Sequence, residues 1–315
     1  MKKLKIVALG GGTGLSTLLR GLKKYTDNLT ALVNVADDGG SSGKLRSELG
    51  ILPPGDIRNC LVALSEEESL MSKLFQHRFQ TSGVLDGHSF GNLFLTAMSA
   101  ISGGFYNAVA NCAEVLAIRG RVLPITLSSV IMEAELKSGR QITGESNISN
   151  VYEKINEIIL FPPNPPAAPE VLKVIRGADI LIFGPGSLYT SVVVNFLVDG
   201  VVSAIKKSGA YKIYIANIMT QPGETTDYTL GDHIKALEKH SYKGILDCVL
   251  VNKSEISKKI ADRYKRHGAK QVLIDKVDTK VVKANLFMDK FYARHDSSKL
   301  ARAIMNIISS AKNVN

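Results

Sequence analysis

Apolar residues in this chain come in short runs, each closed by a glycine- or serine-rich break, and between the runs they recur at helical spacing. The first run, residues 5–9, reads as a buried strand. It ends in Gly10-Gly11-Gly12-Thr13-Gly14, after which Leu15, Leu18, Leu19 and Leu22 share one face of a helix predicted over 15–24. A second strand over 31–35 runs into Asp37-Asp38-Gly39-Gly40-Ser41-Ser42-Gly43, a composition that predicts a loop. Pro53-Pro54-Gly55-Asp56 predicts a turn with Asp56 placed to cap the helix that follows. From 57 to 118 the pattern is helical in three or four stretches, which predicts a mainly helical insertion. Strands resume at 122–127 and 130–136, and Ser138-Gly139 turns the second into a hairpin with 141–143.

Residues 161–166, the most proline-dense part of the chain, read as an extended linker within the domain. Beyond it strands and helices alternate: helix 169–176, strand 180–183, helix 193–207, strand 212–218, helix 228–239, strand 248–251, helix 257–267, strand 271–274 and a last helix 297–310. Such alternation predicts an α/β fold of Rossmann-like build. The sheet is expected to be mostly parallel with helices on both faces, in a single domain over 1–315 that carries the helical insertion at about 57–118.

Composition narrows the function classes. With 45% hydrophobic and 22% charged residues the chain is an ordinary globular one, and no run is long enough for a membrane helix. No membrane association is expected. The formal charge of +10 favours anionic ligands. No basic run interleaved with aromatics and no zinc-finger spacing accompanies it, so nucleic acid is the weaker class of partner. Cys60, Cys112 and Cys248 lie far apart, an odd set that suits a reducing cytoplasm better than a disulfide framework. None of the six histidines falls in a metal-binding pattern. His88-Ser89-Phe90-Gly91-Asn92 is a polar cluster that either faces a cleft or caps a helix at Ser89.

In a doubly wound sheet ligands bind beyond the carboxyl ends of the strands, so the loops there carry the candidates. The first, with Gly11, Gly12, Thr13 and Gly14, lets backbone amides approach a phosphate at a helix N-terminus. It also fits a plain strand-to-helix turn, because Leu15 stands where a dinucleotide fingerprint has its third glycine and no Lys-Ser/Thr pair completes a P-loop. The second offers Asp37 and Asp38, suited to Mg²⁺ or a ribose hydroxyl, with Asp56 as a third oxygen ligand. The third, Phe183-Gly184-Pro185-Gly186-Ser187-Leu188-Tyr189-Thr190, puts Gly184, Gly186, Ser187 and Tyr189 within reach of a phosphate or base. The fourth, Asn217-Ile218-Met219-Thr220-Gln221-Pro222-Gly223-Glu224-Thr225, supplies Asn217 and Thr220 for hydrogen-bond reading of a nucleotide or sugar.

Gly-Gly-Gly-Thr-Gly-Leu-Ser, Ala-Asp-Asp-Gly-Gly-Ser-Ser-Gly, Pro-Pro-Gly-Asp-Ile-Arg-Asn, Phe-Gln-His-Arg-Phe, Gly-His-Ser-Phe-Gly-Asn, Gly-Pro-Gly-Ser-Leu-Tyr-Thr-Ser and Asn-Ile-Met-Thr-Gln-Pro-Gly-Glu-Thr follow one another in this order. The series closely resembles the YvcK/GlmR group, the gluconeogenesis factors of the CofD-like superfamily, nearly end to end. The resemblance implies a bacterial cytosolic regulator that binds nucleotide sugars, notably UDP-N-acetylglucosamine. It would link carbon supply to cell-wall precursor synthesis and cell shape, with a protein partner in amino-sugar or cell-wall metabolism and a homo-oligomer as a further option. By the same resemblance Tyr264 and Arg294 contact the UDP-sugar, Tyr264 by stacking or its hydroxyl and Arg294 by pairing with the diphosphate. The superfamily also contains phospholactate transferases, whose paired aspartates hold a metal. That makes Asp38 and Asp56 the metal candidates, and a Mg-dependent transferase acting on a nucleotide-activated donor the alternative function. A dinucleotide oxidoreductase binding NAD is a weaker reading, since no hydride-transfer residue is evident.

Overall fold

The computed structural model describes residues 4–66, 70–288 and 291–312. Strand β1 (Ile6–Gly10) leads into α1 (Gly12–Leu22), and β2 (Leu29–Val33) follows. Four helices come next: α2 (Gly40–Leu49), α3 (Gly55–Leu64), α4 (Leu70–Gln76) and α5 (Phe90–Ile101), with α6 (Phe105–Val115) closing the run before β3 (Arg121–Pro124). Then come β4 (Ile131–Leu136), β5 (Gln141–Thr143), the single turn α7 (Glu145–Ile148) and β6 (Ile155–Phe161). The second half runs α8 (Val171–Arg176), β7 (Ile180–Phe183), α9 (Val201–Lys207), β8 (Tyr211–Ile215), α10 (Leu230–Lys239) and β9 (Cys248–Asn252). It closes with α11 (Lys258–Lys265), β10 (Val281–Ala284), β11 (Phe287–Met288), β12 (Arg294–His295) and α12 (Ser297–Lys312).

Seven strands form one parallel sheet in the order β10-β9-β8-β7-β1-β2-β3. Strands β1, β7 and β9 are buried along their whole length, as a parallel sheet covered by helices requires. The expected Rossmann-like α/β fold is therefore the observed one. The chain winds outward from β1 through β2 to β3, returns to β7 beside β1, and winds outward again through β8 and β9. The seam between β1 and β7 is thus the point where strand order reverses, and the loops after both strands open there. A second, antiparallel sheet of order β5-β4-β6 alternates buried and open positions along β4, so one of its faces packs on the core.

Several local expectations are corrected. The glycine–serine segment after Asp38 is not all loop: α2 starts at Gly40, whose φ of 47° begins the turn, and carries Ser41 and Ser42 inward. Asp56 is not a helix cap; α3 starts at Gly55 after Pro54, which puts Asp56 inside the first turn. The helix expected over 193–207 is broken. A π turn (Leu188–Val192) and a 3-10 turn (Val193–Leu197) precede α9, and Gly200 at φ 76° makes the corner between them. Residues 271–274 join no sheet and make only the isolated bridges Met219–Gln271 and Thr229–Leu273, while the outer strand of the sheet is β10.

Candidate functional site

The loop after β1 and the loop after β7 meet at the seam with almost no clearance. A Cβ on Gly14 would stand 2.1 Å from the Pro185 carbonyl oxygen, so only glycine lets the two backbones pass. A Cβ on Gly11 would stand 2.6 Å from Asp56 Oδ2 and 2.8 Å from Asn34 Nδ2. The first loop is thereby pressed against the end of β2 and the start of α3 as well. These loops frame a cleft of about 760 Å³. Its floor is the start of α1, from Gly11 to Gly14, joined by Gly186 and Ser187 of the third loop and by Asn217 and Thr220 of the fourth.

One flank of the cleft is acidic. Asp37, Asp56 and Glu145 line it, and the charge of Asp37 bears on both of the others. Burial first, then the charge of Asp37, pushes Asp56 up to about 6, against the pull of the Gly12 N–H bond and Arg58. Burial pushes Glu145 up to about 7, with Asp37, Glu224, Asp38 and Asp56 adding to it. The arginines near these carboxylates stand behind the wall and are already engaged. Arg58 donates to Asn92 Oδ1 at 3.0 Å, to Asn59 Oδ1 at 2.8 Å and to Ser89 Oγ. Arg46 donates to the Val130 carbonyl, and burial lowers its pKa.

The opposite flank is cationic and aromatic. Arg263 and Tyr264 of α11, His267, Tyr292 and Arg294 line it. The two guanidinium groups both lie over the ring of Tyr292, at 5.6 Å for Arg263 and 5.4 Å for Arg294. His295 lines the same flank; its ring is hydrogen-bonded to the backbone of Ala216, and burial pushes its pKa down to about 4, so it is neutral at physiological pH.

Beneath the floor a fully buried carboxylate ties the loops together. Glu224 accepts hydrogen bonds from Tyr189 N at 3.0 Å, Thr190 N at 3.3 Å and Thr190 Oγ1 at 2.7 Å. Gln221 Nε2 donates to it at 3.3 Å and Ser149 Oγ at 3.5 Å, while Ser187 Oγ donates to Gln221 Oε1 at 2.8 Å. The third loop, the fourth loop and the α7 region therefore hold one shape.

Of the residues singled out in the sequence, the cleft brings together Gly11, Gly12, Thr13, Gly14, Asp37, Asp56, Gly186, Ser187, Asn217, Thr220, Tyr264 and Arg294. Asp38, Gly184 and Tyr189 do not line it. The Asp38 carboxylate is taken by Ser146, whose N–H and Oγ donate to it at 2.9 and 2.7 Å, so it anchors α7. Gly184 makes the turn out of β7 at φ 77°. The Tyr189 ring points into the core, where its hydroxyl bonds that of Tyr228 at 2.9 Å. Ser89 caps α5 through the Asn92 N–H, and His88 Nδ1 meets Ser41 Oγ at 3.1 Å, behind the acidic wall. Among the described residues no group of three His, Cys, Asp or Glu side chains is arranged to hold a metal ion. Of the two metal candidates, Asp56 lines the cleft and Asp38 holds Ser146 through Oδ1 alone. Gln221 enters the cleft with the fourth loop, while Asn34, Glu145, Arg263, His267, Tyr292 and His295 enter it without having been singled out in the sequence.

Comparison with known proteins agrees with this architecture. The family described as 2-phospho-L-lactate transferase CofD matches residues 6–291. A protein named "Gluconeogenesis factor" from Halalkalibacterium halodurans is 47% identical, with 97% of each chain covered. The Bacillus subtilis protein of the same name is 46% identical over 98% of this chain and 99% of its own. A Nostoc protein named "Putative gluconeogenesis factor" is 52% identical over 96% of this chain and 68% of its own. A crystal structure of a Bacillus halodurans protein superposes with a TM-score of 0.93 at 46% identity, covering 96% of this chain and 100% of that one. The chain belongs to the CofD family and groups, within it, with the proteins called gluconeogenesis factors.

Proposed function

We propose that this protein is a nucleotide-sugar-binding regulator, with UDP-N-acetylglucosamine as the ligand type, that links gluconeogenic growth to the supply of cell-wall precursors and to cell shape. The observation that supports this reading is the cleft at the β1/β7 seam, where glycine loops and hydroxyls face two arginines that stack on one tyrosine. A diphosphate is the group that a pair of guanidinium forks recognises best. The amides and hydroxyls along the floor suit the many polar atoms of a sugar. Regulation requires that ligand occupancy alter a surface seen by a partner protein, and α7 is the element that would carry the change, because it touches the cleft through Glu145 and the second sheet through β4 and β5. Calorimetric titration with UDP-N-acetylglucosamine tests the reading, with Arg294→Ala beside the wild type. Binding that weakens at least tenfold in the variant is expected; unchanged affinity would remove Arg294 from the site.

Transfer of a phosphorus-containing group from a nucleotide-activated donor is the second reading, favoured by the carboxylates that stand against the start of α1. Turnover of such a donor, lost in Asp56→Asn, would support it. No turnover with a panel of nucleotide-activated donors would count against it.

A further inference from the structure

The glycine loop that reads as a phosphate cradle is, in three dimensions, an unfavourable place for a phosphate. The Gly12 N–H, one of the amides that would receive it, already donates to Asp56. Asp37 and Glu145 share that wall, and the charges acting on Glu145 are all those of other carboxylates. A diphosphate brought there would add like charge to a crowded, partly desolvated group of anions. The cationic residues of the cleft, Arg263 and Arg294, stand on the opposite flank, on α11 and β12. Glu145 is carried in on α7, whereas Asp37 follows β2 and the basic residues lie beside the loop after β8, strands three places apart in the sheet. At about 4.8 Å per strand that is about 14 Å. An ionised carboxylate accepts and a carboxyl that keeps its proton also donates, so the uncharged groups this wall recognises are hydroxyls and amides.

From this we infer that the cleft is partitioned by charge, so that a nucleoside-diphosphate sugar lies across it with its diphosphate between Arg263 and Arg294 and its uncharged sugar against Asp37, Asp56 and Glu145. The inference rests on the nucleotide-sugar reading above and gives it a direction and a selectivity: neutral sugars are accepted and acidic sugars rejected.

The test is calorimetric titration of the wild-type protein with UDP, UDP-N-acetylglucosamine and UDP-glucuronate, each with EDTA and again with Mg²⁺. UDP and UDP-N-acetylglucosamine are expected to bind equally well in EDTA and in Mg²⁺, and UDP-glucuronate at least tenfold more weakly than UDP-N-acetylglucosamine. Glu145→Gln should narrow that gap severalfold, and a gap of unchanged size in this variant would also overturn the partition. Equal affinity for the two sugar nucleotides would overturn the partition. So would a Mg²⁺ requirement for UDP, because it would place the diphosphate, with a cation, on the acidic flank. If the wild type binds none of the three ligands, the nucleotide-sugar reading fails and this inference falls with it; if UDP binds and no sugar selectivity appears, only the inference fails.

Discussion

Asp56 sits where two requirements conflict. Its oxygens receive the Gly12 N–H and press on Gly11, which fixes the start of α1, yet burial and the charge of Asp37 work against its ionised form and push it up to about 6 from an ordinary 3.8. A carboxyl that binds its proton more tightly in the folded chain than in the unfolded one stabilises most below the unfolded value. That contribution is lost as pH rises through the folded one. For Asp56 the loss falls between pH 4 and about 6, and for Glu145, pushed up to about 7 from 4.5, it extends through neutrality. Asp56→Asn keeps an oxygen for the Gly12 N–H and removes the charge. It should raise stability at pH 8 by about 2 kcal/mol and change it little at pH 4, as read from urea unfolding at both values. A gain that is the same at both would show that the charge is not what the site resists. Gly14→Ala acts on the other wall of the same turn: its Cβ would fall on the Pro185 carbonyl. The backbones must part, at a cost of about 1–3 kcal/mol in unfolding free energy, with loss of cleft binding. At this scale the sequence betrays residues whose role is local, such as the glycines of the first loop and Ser187. It hides those defined by a distant partner. Nothing near Asp38 shows that Ser146, 108 positions on, takes its carboxylate, nor that Tyr292 is flanked by Arg263 and Arg294.

Elements in this chain become visible when their own pattern suffices to form them. Helix α10 opens with a capping box: Thr229 accepts from the Asp232 N–H, and the Asp232 side chain accepts from the Thr229 N–H. Thr229 Oγ1 also donates to Asp275 Oδ2 at 2.8 Å, which joins the helix to the segment after α11. Thr229→Ala should therefore cost about 1 kcal/mol or somewhat more, and Thr229→Ser should restore most of it, both measured as shifts of the urea midpoint at constant slope. Strand β7, four apolar residues between polar breaks, could be read to the residue. Strand β6 could not, because Ile158-Ile159-Leu160 runs on without polar interruption and conceals an alternation that only its pairing with β4 reveals. Strand β10 was missed for the opposite reason. Val281-Val282-Lys283-Ala284 is half-exposed, and what makes it a strand is the free edge of β9, a tertiary circumstance.

The molecule as a whole is two outward windings of one sheet joined at the β1/β7 seam, and the cleft straddles that join. Alternating strands and helices foretold the parallel sheet, and the rule that ligands sit at a reversal of strand order pointed to its rim. Asp37 and Asp56 stood out in their loops and Arg294 through the resemblance, but Glu145 and Arg263 were not legible, because they arrive on α7 and α11 from far along the chain. A ligand that touches both flanks holds the first winding to the second, and so must stabilise the fold as one unit rather than one half of it. At a hundredfold excess over its dissociation constant such a ligand adds about 2.7 kcal/mol, and for a chain of this size that is a rise of about 5 °C in Tm. Scanning calorimetry with UDP-N-acetylglucosamine should show a single transition displaced upward by that amount. Uridine, which lacks the diphosphate, should displace it far less, and Arg294→Ala should abolish most of the displacement. Two transitions, of which the ligand moves only one, would mean that the windings unfold independently and that the ligand is held by one flank alone.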